Sequence, residues 1–279
     1  MIEFKKTNLD KLDEYLNLYN RSFKNFTKTH DYFKWLYVDN PQGNFVGIDC
    51  YENMQLIGQV GGIPHEFIFD QNKVKFLISV NVCVDPKYQG KWLFSKMLVQ
   101  FEKIARELNF DGIIGIANKS ATPFWQRSIK LNKLKPLDVY IGFGKFETEK
   151  INKSNYHFYT FWSKKKLEWR IQNPMYKTYL NLENNNQSVY SKTNFPFINA
   201  YSPLIFYEKN IDKNFLQKKP LKPIVFLGLI KDFKKTSFLY NLPEFLRPSP
   251  LNFVYKFFKS NYILDPNKIF FTFLDFDAF

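Results

Sequence analysis

The residues best suited to chemistry lie in one stretch, 81–98, reading NVCVDPKYQGKWLFSKML. Its β-branched residues give way to Asp85-Pro86, and a short turn holds Gln89-Gly90-Lys91. Leu93, Met97, Phe101, Ile104 and Leu108 then recur at helical spacing. A strand, a turn and a helix in that order bring unpaired backbone N–H groups and the positive helix end to one point. Such a point binds anions; a diphosphate is the natural ligand, and Lys91 adds charge. Neither a G-x-x-x-x-G-K-S/T loop nor G-x-G-x-x-G occurs, so the nucleoside-triphosphate and Rossmann dinucleotide readings lose their main support.

The elements that must position this turn follow from periodicity. Residues 55–69 and 74–84 are β-rich runs separated by DQNK, which reads as two adjacent antiparallel strands. In the second run Ile78, Val80, Val82 and Val84 share one face, and Ser79, Asn81 and Cys83 share the face open to a ligand. After the helix, DGIIGIAN reads as a strand, 121–131 as a second helix, and LDVYIGFGKF as another strand. Leu9, Leu12, Leu16 and Tyr19 mark an amphipathic helix before them all. The order predicts an α/β fold, a mixed and mainly antiparallel sheet flanked by helices.

Residues 147–155 are polar and read as a linker, dividing the chain into 1–148 and 149–279. Trp169 to Pro174 (WRIQNP) echoes Trp35 to Pro41 (WLYVDNP), which points to a repeat. In the second half 223–231 and the closing IFFTFLDFDAF would supply sheet strands.

The segment Val84-Asp85-Pro86-Lys87-Tyr88-Gln89-Gly90-Lys91, followed by Leu93, Ser95, Met97 and Leu98, resembles motif A of the GNAT superfamily of acyl-CoA-dependent N-acyltransferases. In that family a Q/R-x-x-G-x-G/A loop holds the CoA pyrophosphate. Asn118-Lys119-Ser120-Ala121-Thr122-Pro123-Phe124-Trp125 resembles its second signature, and the two together cover about residues 50–145. The resemblance implies acetyl-CoA as co-substrate, held by Val82, Cys83, Val84, Gln89, Gly90, Lys91, Trp92, Leu93, Phe94, Ser95, Asn118, Ala121, Phe124 and Trp125. It also implies a splay between the strand bearing 82–84 and the one bearing 114–117, with the pantetheine in the gap and a backbone N–H near Cys83 or Val84 facing the thioester carbonyl. A second, degenerate GNAT-like unit without motif A follows from the repeat, as an acceptor-binding or structural half. Two departures stand out: Trp92 and Phe94 occupy the family's small positions, and Trp125 occupies the position of its usual Tyr. An indole N–H cannot act as an acid at neutral pH.

For the general base the candidates are His65 and Glu66, with Asn81 on the polar strand face; Tyr140 and Arg170 are candidates to line the acceptor site. Cys83 has no positioned partner in the sequence that would make it a nucleophile, so direct transfer is expected. The net charge of +14 invites a nucleic-acid reading, but only Arg21, Arg106, Arg127, Arg170 and Arg247 are arginines among 40 cationic residues, which weighs against it. Cys50 and Cys83 are too few for a disulfide scaffold, and His30, His65 and His157 are scattered, so no metal is expected. The first residues lack a signal-peptide pattern and no window has the length of an apolar membrane span, predicting a cytoplasmic protein without membrane insertion.

These readings converge on transfer of an acetyl group to a small-molecule primary amine. By resemblance to tandem GNAT-like proteins the acceptor class is an amino sugar of surface polysaccharide. A Fem-type aminoacyltransferase using aminoacyl-tRNA and an inactive GNAT-fold binding module stay open as alternatives. Oligomeric state is not legible.

Overall fold

The computed structural model describes residues 1–23, 27–90, 92–148, 151–182, 187–195, 197–209, 222–231, 238–247 and 249–276. In chain order its first elements are β1 (Ile2–Lys6), α1 (Leu12–Ser22), α2 (His30–Tyr37), β2 (Val46–Glu52), β3 (Gln55–Phe69), β4 (Asn72–Ser79), β5 (Cys83–Val84), α3 (Leu93–Glu107), β6 (Gly112–Ala117), α4 (Thr122–Ile129) and β7 (Asn132–Pro136). There follow β8 (Asp138–Gly142), β9 (Phe158–Tyr159), α5 (Lys164–Ile171), β10 (Thr178–Asn181), β11 (Ser188–Lys192), β12 (Asn199–Pro203), β13 (Ile224–Leu229), β14 (Leu239–Asn241), β15 (Asn252–Phe257) and β16 (Ile269–Thr272). No helix among the described residues is long and apolar enough to cross a membrane.

The chain forms two compact units. The first comprises Met1–Glu66, Val74–Lys135 and Leu251–Tyr262; the second comprises Phe67–Lys73, Pro136–Pro250 and Ile263–Phe279. The expected division into 1–148 and 149–279 is corrected by strand pairing. β15, from the far end of the chain, lies antiparallel on β6 with Val254 opposite Gly115, and so belongs to the first unit. β8 lies antiparallel on β13 with Tyr140 opposite Phe226, and so belongs to the second. The expected linker falls inside the second unit, where Phe146 and Ile151 are buried in an aromatic-rich core; residues 149–150 lie outside the described ones.

In the first unit β1, β2 and β3 pair antiparallel; β4 follows β3 through the two-residue turn Asp70-Gln71, which is counted with the second unit. Both turn residues have positive φ, 45° and 68°, the pair that a tight hairpin matching strand twist requires. β6 then runs parallel to β4, with α3 in the connection between them. The apolar stripe of α3, Leu93, Met97, Leu98, Phe101, Ile104 and Ala105, packs with Ile48, Ile57, Val60 and Ile113 of the sheet in one core. At Gly58 the backbone passes so close to Met97 that an added Cβ would sit 2.9 Å from its Cε.

The second unit repeats this succession. β10, β11 and β12 pair antiparallel, β13 runs parallel to β12, and an antiparallel strand, β8, follows. The two Asn-Pro elements are equivalent in detail as well. After α2, Asn40 Oδ1 accepts from the Gln42 N–H at 3.1 Å; after α5, Asn173 Oδ1 accepts from the Met175 N–H at 2.8 Å. In the first unit the sequence reading overlooked β1, α2, β2, β7 and β15.

Asp275 is buried in the second unit. Its carboxylate accepts from Thr160 Oγ1 at 2.5 Å and from the Thr272 N–H at 2.6 Å. Burial pushes its carboxyl up to about 6, against the pull of those donors and of Arg170. A carboxyl whose pKa is higher folded than unfolded binds its proton more tightly in the folded state, so stability falls as pH rises from about 4 to about 6. The unfolding free energy of the protein minus that of Asp275→Asn is therefore expected to drop by about 3 kcal/mol between about pH 4 and pH 7. Denaturant titrations at both pH values measure it; a pH-independent difference would contradict the assignment.

Candidate functional site

The first unit's sheet opens at one place. β4 and β6 pair from Phe76 opposite Gly112 to Ile78 opposite Ile114 and no further. β6 continues to Ala117, held on its other edge by β15. The chain after β4 instead turns at Asn81, with φ of 51°, and re-forms as β5, which among the described strands pairs with β3 alone. The edges of 83–84 and 115–117 are thus outside any ladder between them. Unladdered strand edges offer N–H and C=O groups to an extended chain carrying amides. The left-handed residue also shifts the alternation. Cys83 turns inward, and Val82 and Val84 become half-buried, correcting the expectation that the valines share the core face and Cys83 the open one.

The turn beyond β5 is braced from three sides. Asp85 accepts from the Lys87 N–H at 3.1 Å and from Arg21 Nε at 3.1 Å, while Arg21 Nη2 donates to the Leu56 carbonyl. Tyr88 Oη donates to Glu52 at 2.6 Å, and Gln89 Nε2 donates back to the Val84 carbonyl at 3.1 Å. Gly90 (φ 80°) and Trp92 (φ 61°) then reverse the chain into α3. Lys91 lies outside the described residues.

No side chain caps α3, and its first turn carries no acid. The N–H groups of Leu93, Phe94 and Ser95 have no partner within the helix and sit at its positive end, which suits an anion. Trp92 keeps the left-handed backbone that a glycine would adopt there, at a cost of about 1–2 kcal/mol, and is 70% exposed. The departure from the small residue therefore alters a side chain directed to solvent and leaves the turn intact.

Asn118 opens α4. Its Oδ1 accepts from the Ala121 N–H and Ser120 Oγ, both at 2.8 Å, and its carbonyl accepts from Thr122 Oγ1. Asn118, Ala121 and Phe124 keep accessible surface beside the C-terminal end of β6. Trp125 does not. It is 3% exposed, packs edge-on to Phe94 at 6.0 Å and belongs to the main core, as does Leu93. A side chain without accessible surface cannot touch a ligand, so the expectation that Trp125 and the Leu93 side chain contact the donor is corrected.

The catalytic candidates are not gathered at the opening. Val80 N–H donates to Gly61 O on β3 beside the strand break. His65 and Glu66 lie further along β3, about 13 and 17 Å from Gly61 at ~3.3 Å per residue. His65 is buried against Gln42 Nε2 at 3.3 Å, and the Glu66 N–H donates to Gln42 Oε1 at 2.7 Å. Asn81 alone sits at the break, its Oδ1 accepting from Tyr32 Oη at 3.2 Å. Burial pushes the Cys83 thiol up to about 12, far from a thiolate at neutral pH. Tyr140 packs on Phe146 and Phe226 in the second unit. Arg170, in the same unit, is 7% exposed and donates to the carbonyls of Phe273 and Phe276, which corrects its reading as a grip for the acceptor.

Comparison with known proteins bears on the N-terminal part of the chain. A family model described as an acetyltransferase (GNAT) domain matches residues 3–126. Residues 3–126 thus match the GNAT acetyltransferase domain. Three solved structures share the fold of this chain over most of its length. A protein of Enterococcus faecalis, described as a probable N-acyltransferase, is 10% identical, with a TM-score of 0.56 over 91% of this chain and 72% of that one. A GCN5-related N-acetyltransferase from Anabaena variabilis is 9% identical, with a TM-score of 0.57 over 92% and 73%. Another from Kribbella flavida is 9% identical, with a TM-score of 0.58 over 92% and 71%. No curated protein matches this chain. Its splayed strands and uncapped α3 lie within the matched residues.

Proposed function

We propose that the protein is an N-acyltransferase that moves an acetyl group from acetyl-CoA to a primary amine by direct attack, with an amino sugar of surface polysaccharide as the acceptor class. One observation carries the reading: within the stretch that matches a GNAT domain, β5, unladdered to β6, leads through one short turn into the uncapped N-terminus of α3. The N–H groups of Leu93, Phe94 and Ser95 would take the diphosphate, and the free edges at 83–84 and 115–117 would pair with the amides of the pantetheine arm. The N–H of Cys83 or Val84 would stabilise the oxyanion that develops on the thioester carbonyl. The attacking amine forms its bond to the carbonyl carbon as the carbon–sulfur bond breaks; the amine's proton passes to solvent, and the departing thiolate takes one up. Trp125 supplies no acid, so the step relies on the thiol being a good leaving group.

Cys83 plays no covalent part, because its buried thiol is protonated. Thiol release from acetyl-CoA should therefore depend on added amine, tested over a panel headed by glucosamine, and Cys83→Ala should keep at least about half the rate. Protein quenched after exposure to acetyl-CoA alone should retain its mass. A stoichiometric acetyl adduct on Cys83 that vanishes when amine is supplied would contradict direct transfer. Amine-independent thiol release would contradict the assigned reaction.

A further inference from the structure

A line of polar side chains runs through the first unit's interior behind the strand break. Asp49 on β2 is 1% exposed; its Oδ1 accepts from Thr7 Oγ1 at 2.9 Å and Gln59 Nε2 at 3.1 Å, and its Oδ2 accepts from Tyr15 Oη at 2.7 Å. Gln59 Oε1 in turn accepts from Tyr37 Oη at 2.7 Å. Gln59 is also the β3 residue in register with Cys83 of β5. The Tyr37 ring is fixed by stacking on Phe45 at 3.9 Å, and its hydroxyl lies beside the Asn81 side chain. Asn81 Nδ2 is buried there without a hydrogen-bond partner of its own, while its Oδ1 takes the Tyr32 hydroxyl.

The line has one direction. Three donors converge on the Asp49 carboxylate, which obliges Gln59 to turn its NH2 group toward Asp49 and its oxygen toward Tyr37. Tyr37 then spends its proton on Gln59 and offers lone pairs toward Asn81. The Asn81 amide fits only with NH2 facing Tyr37 and oxygen facing Tyr32. Buried polar networks are weak devices for stability and are best attested where they specify geometry.

We propose that Asp49, Gln59 and Tyr37 are positioning residues for the donor cleft: they hold Asn81 in the left-handed conformation that breaks the strand, and so set the edge of β5 against which a pantetheine arm pairs. Both ends of the device grip the same short strand. Gln59 does so through its register with Cys83, and Tyr32 does so through its hydrogen bond to Asn81, which leads into that strand and has the Tyr37 hydroxyl beside its amide. The inference rests on the donor-site reading given under Proposed function.

The test separates the two parts of the donor. Affinities are measured by calorimetry for CoA and for adenosine 3′,5′-bisphosphate, which lacks the pantetheine arm. Tyr37→Phe is expected to weaken CoA about tenfold while leaving the bisphosphate within about twofold. Asn81→Gly keeps a residue tolerant of positive φ but removes the amide, and should give the same split. The double variant should bind CoA no more weakly than the weaker single variant, because the residues act as one unit. Equal weakening of both ligands, no weakening, or multiplying effects would overturn the proposal alone. Unmodified protein that binds neither ligand would overturn the donor-site reading and this proposal with it.

Discussion

Expressed by itself, the fragment 1–148 is expected to remain unfolded, and the same fragment joined through a flexible linker to residues 251–262 is expected to fold cooperatively. The reason is β15. It buries Phe253, Val254, Tyr255 and Phe257, and Val254 sits in the same core as Gly115's neighbour Trp125 and the α3 stripe. At ~1.5–3 kcal/mol per buried apolar side chain, its loss removes about 6–12 kcal/mol. That is comparable with the whole stability of a domain, about 5–15 kcal/mol. Removal also bares the edge of β6, an apolar strand that would then pair with other chains. Near-ultraviolet circular dichroism and urea unfolding of the two fragments decide the matter. A cooperative transition in 1–148 alone would show that β15 is dispensable.

Ser95→Asp is expected to separate stability from binding. The residue lies in the first turn of α3, where no acid is present. A carboxylate there interacts favourably with the helix dipole and should stabilise the free protein by ~0.3–1 kcal/mol. The same charge would occupy the N–H groups assigned to the diphosphate and repel it at close range. At an effective dielectric near the protein surface this is worth about 2–4 kcal/mol, or roughly 30- to 1,000-fold in CoA affinity. Thermal denaturation and calorimetric titration should move in opposite directions. A variant that binds CoA as tightly as the parent would place the diphosphate elsewhere.

Much of this was legible because it is local. Residues 81–98 carry strand, turn and helix signals within one window, and the structure builds β5, the turn and α3 there. The apolar period of α3 needed no knowledge of its partner. β15 shows the limit. NFVYKF was not among the strands read from the sequence, and nothing nearby specifies that it pairs with Gly112–Ala117 rather than within its own half. That pairing is set by long-range burial, which also displaced the expected domain boundary.

The site was legible to a similar degree. The anion-binding turn follows from its own residues. Trp125, by contrast, aligned with a polar signature position, but its large apolar surface was drawn into the core beside Phe94. The strand break could not be read from alternation, since a single left-handed residue, Asn81, inverts the faces that follow. Asp49 and Gln59 did leave a signal: a carboxylate and an amide inside the apolar runs VGIDCYE and QLIGQVGG. Buried polar residues in such runs need partners. His65 and Glu66 carried the chemistry of a base but not its location, and their distance from the break is a matter of register.

The central claim is that the gap between β5 and β6 and the N-terminus of α3 together hold an acyl-CoA. Its most direct test is a structure of the protein grown with saturating CoA. The diphosphate should rest on the N–H groups of Leu93, Phe94 and Ser95, and the pantetheine should lie in the gap, hydrogen-bonded to the edges at 83–84 and 115–117. CoA bound elsewhere, or a gap and helix end that remain empty at saturation, would contradict the claim.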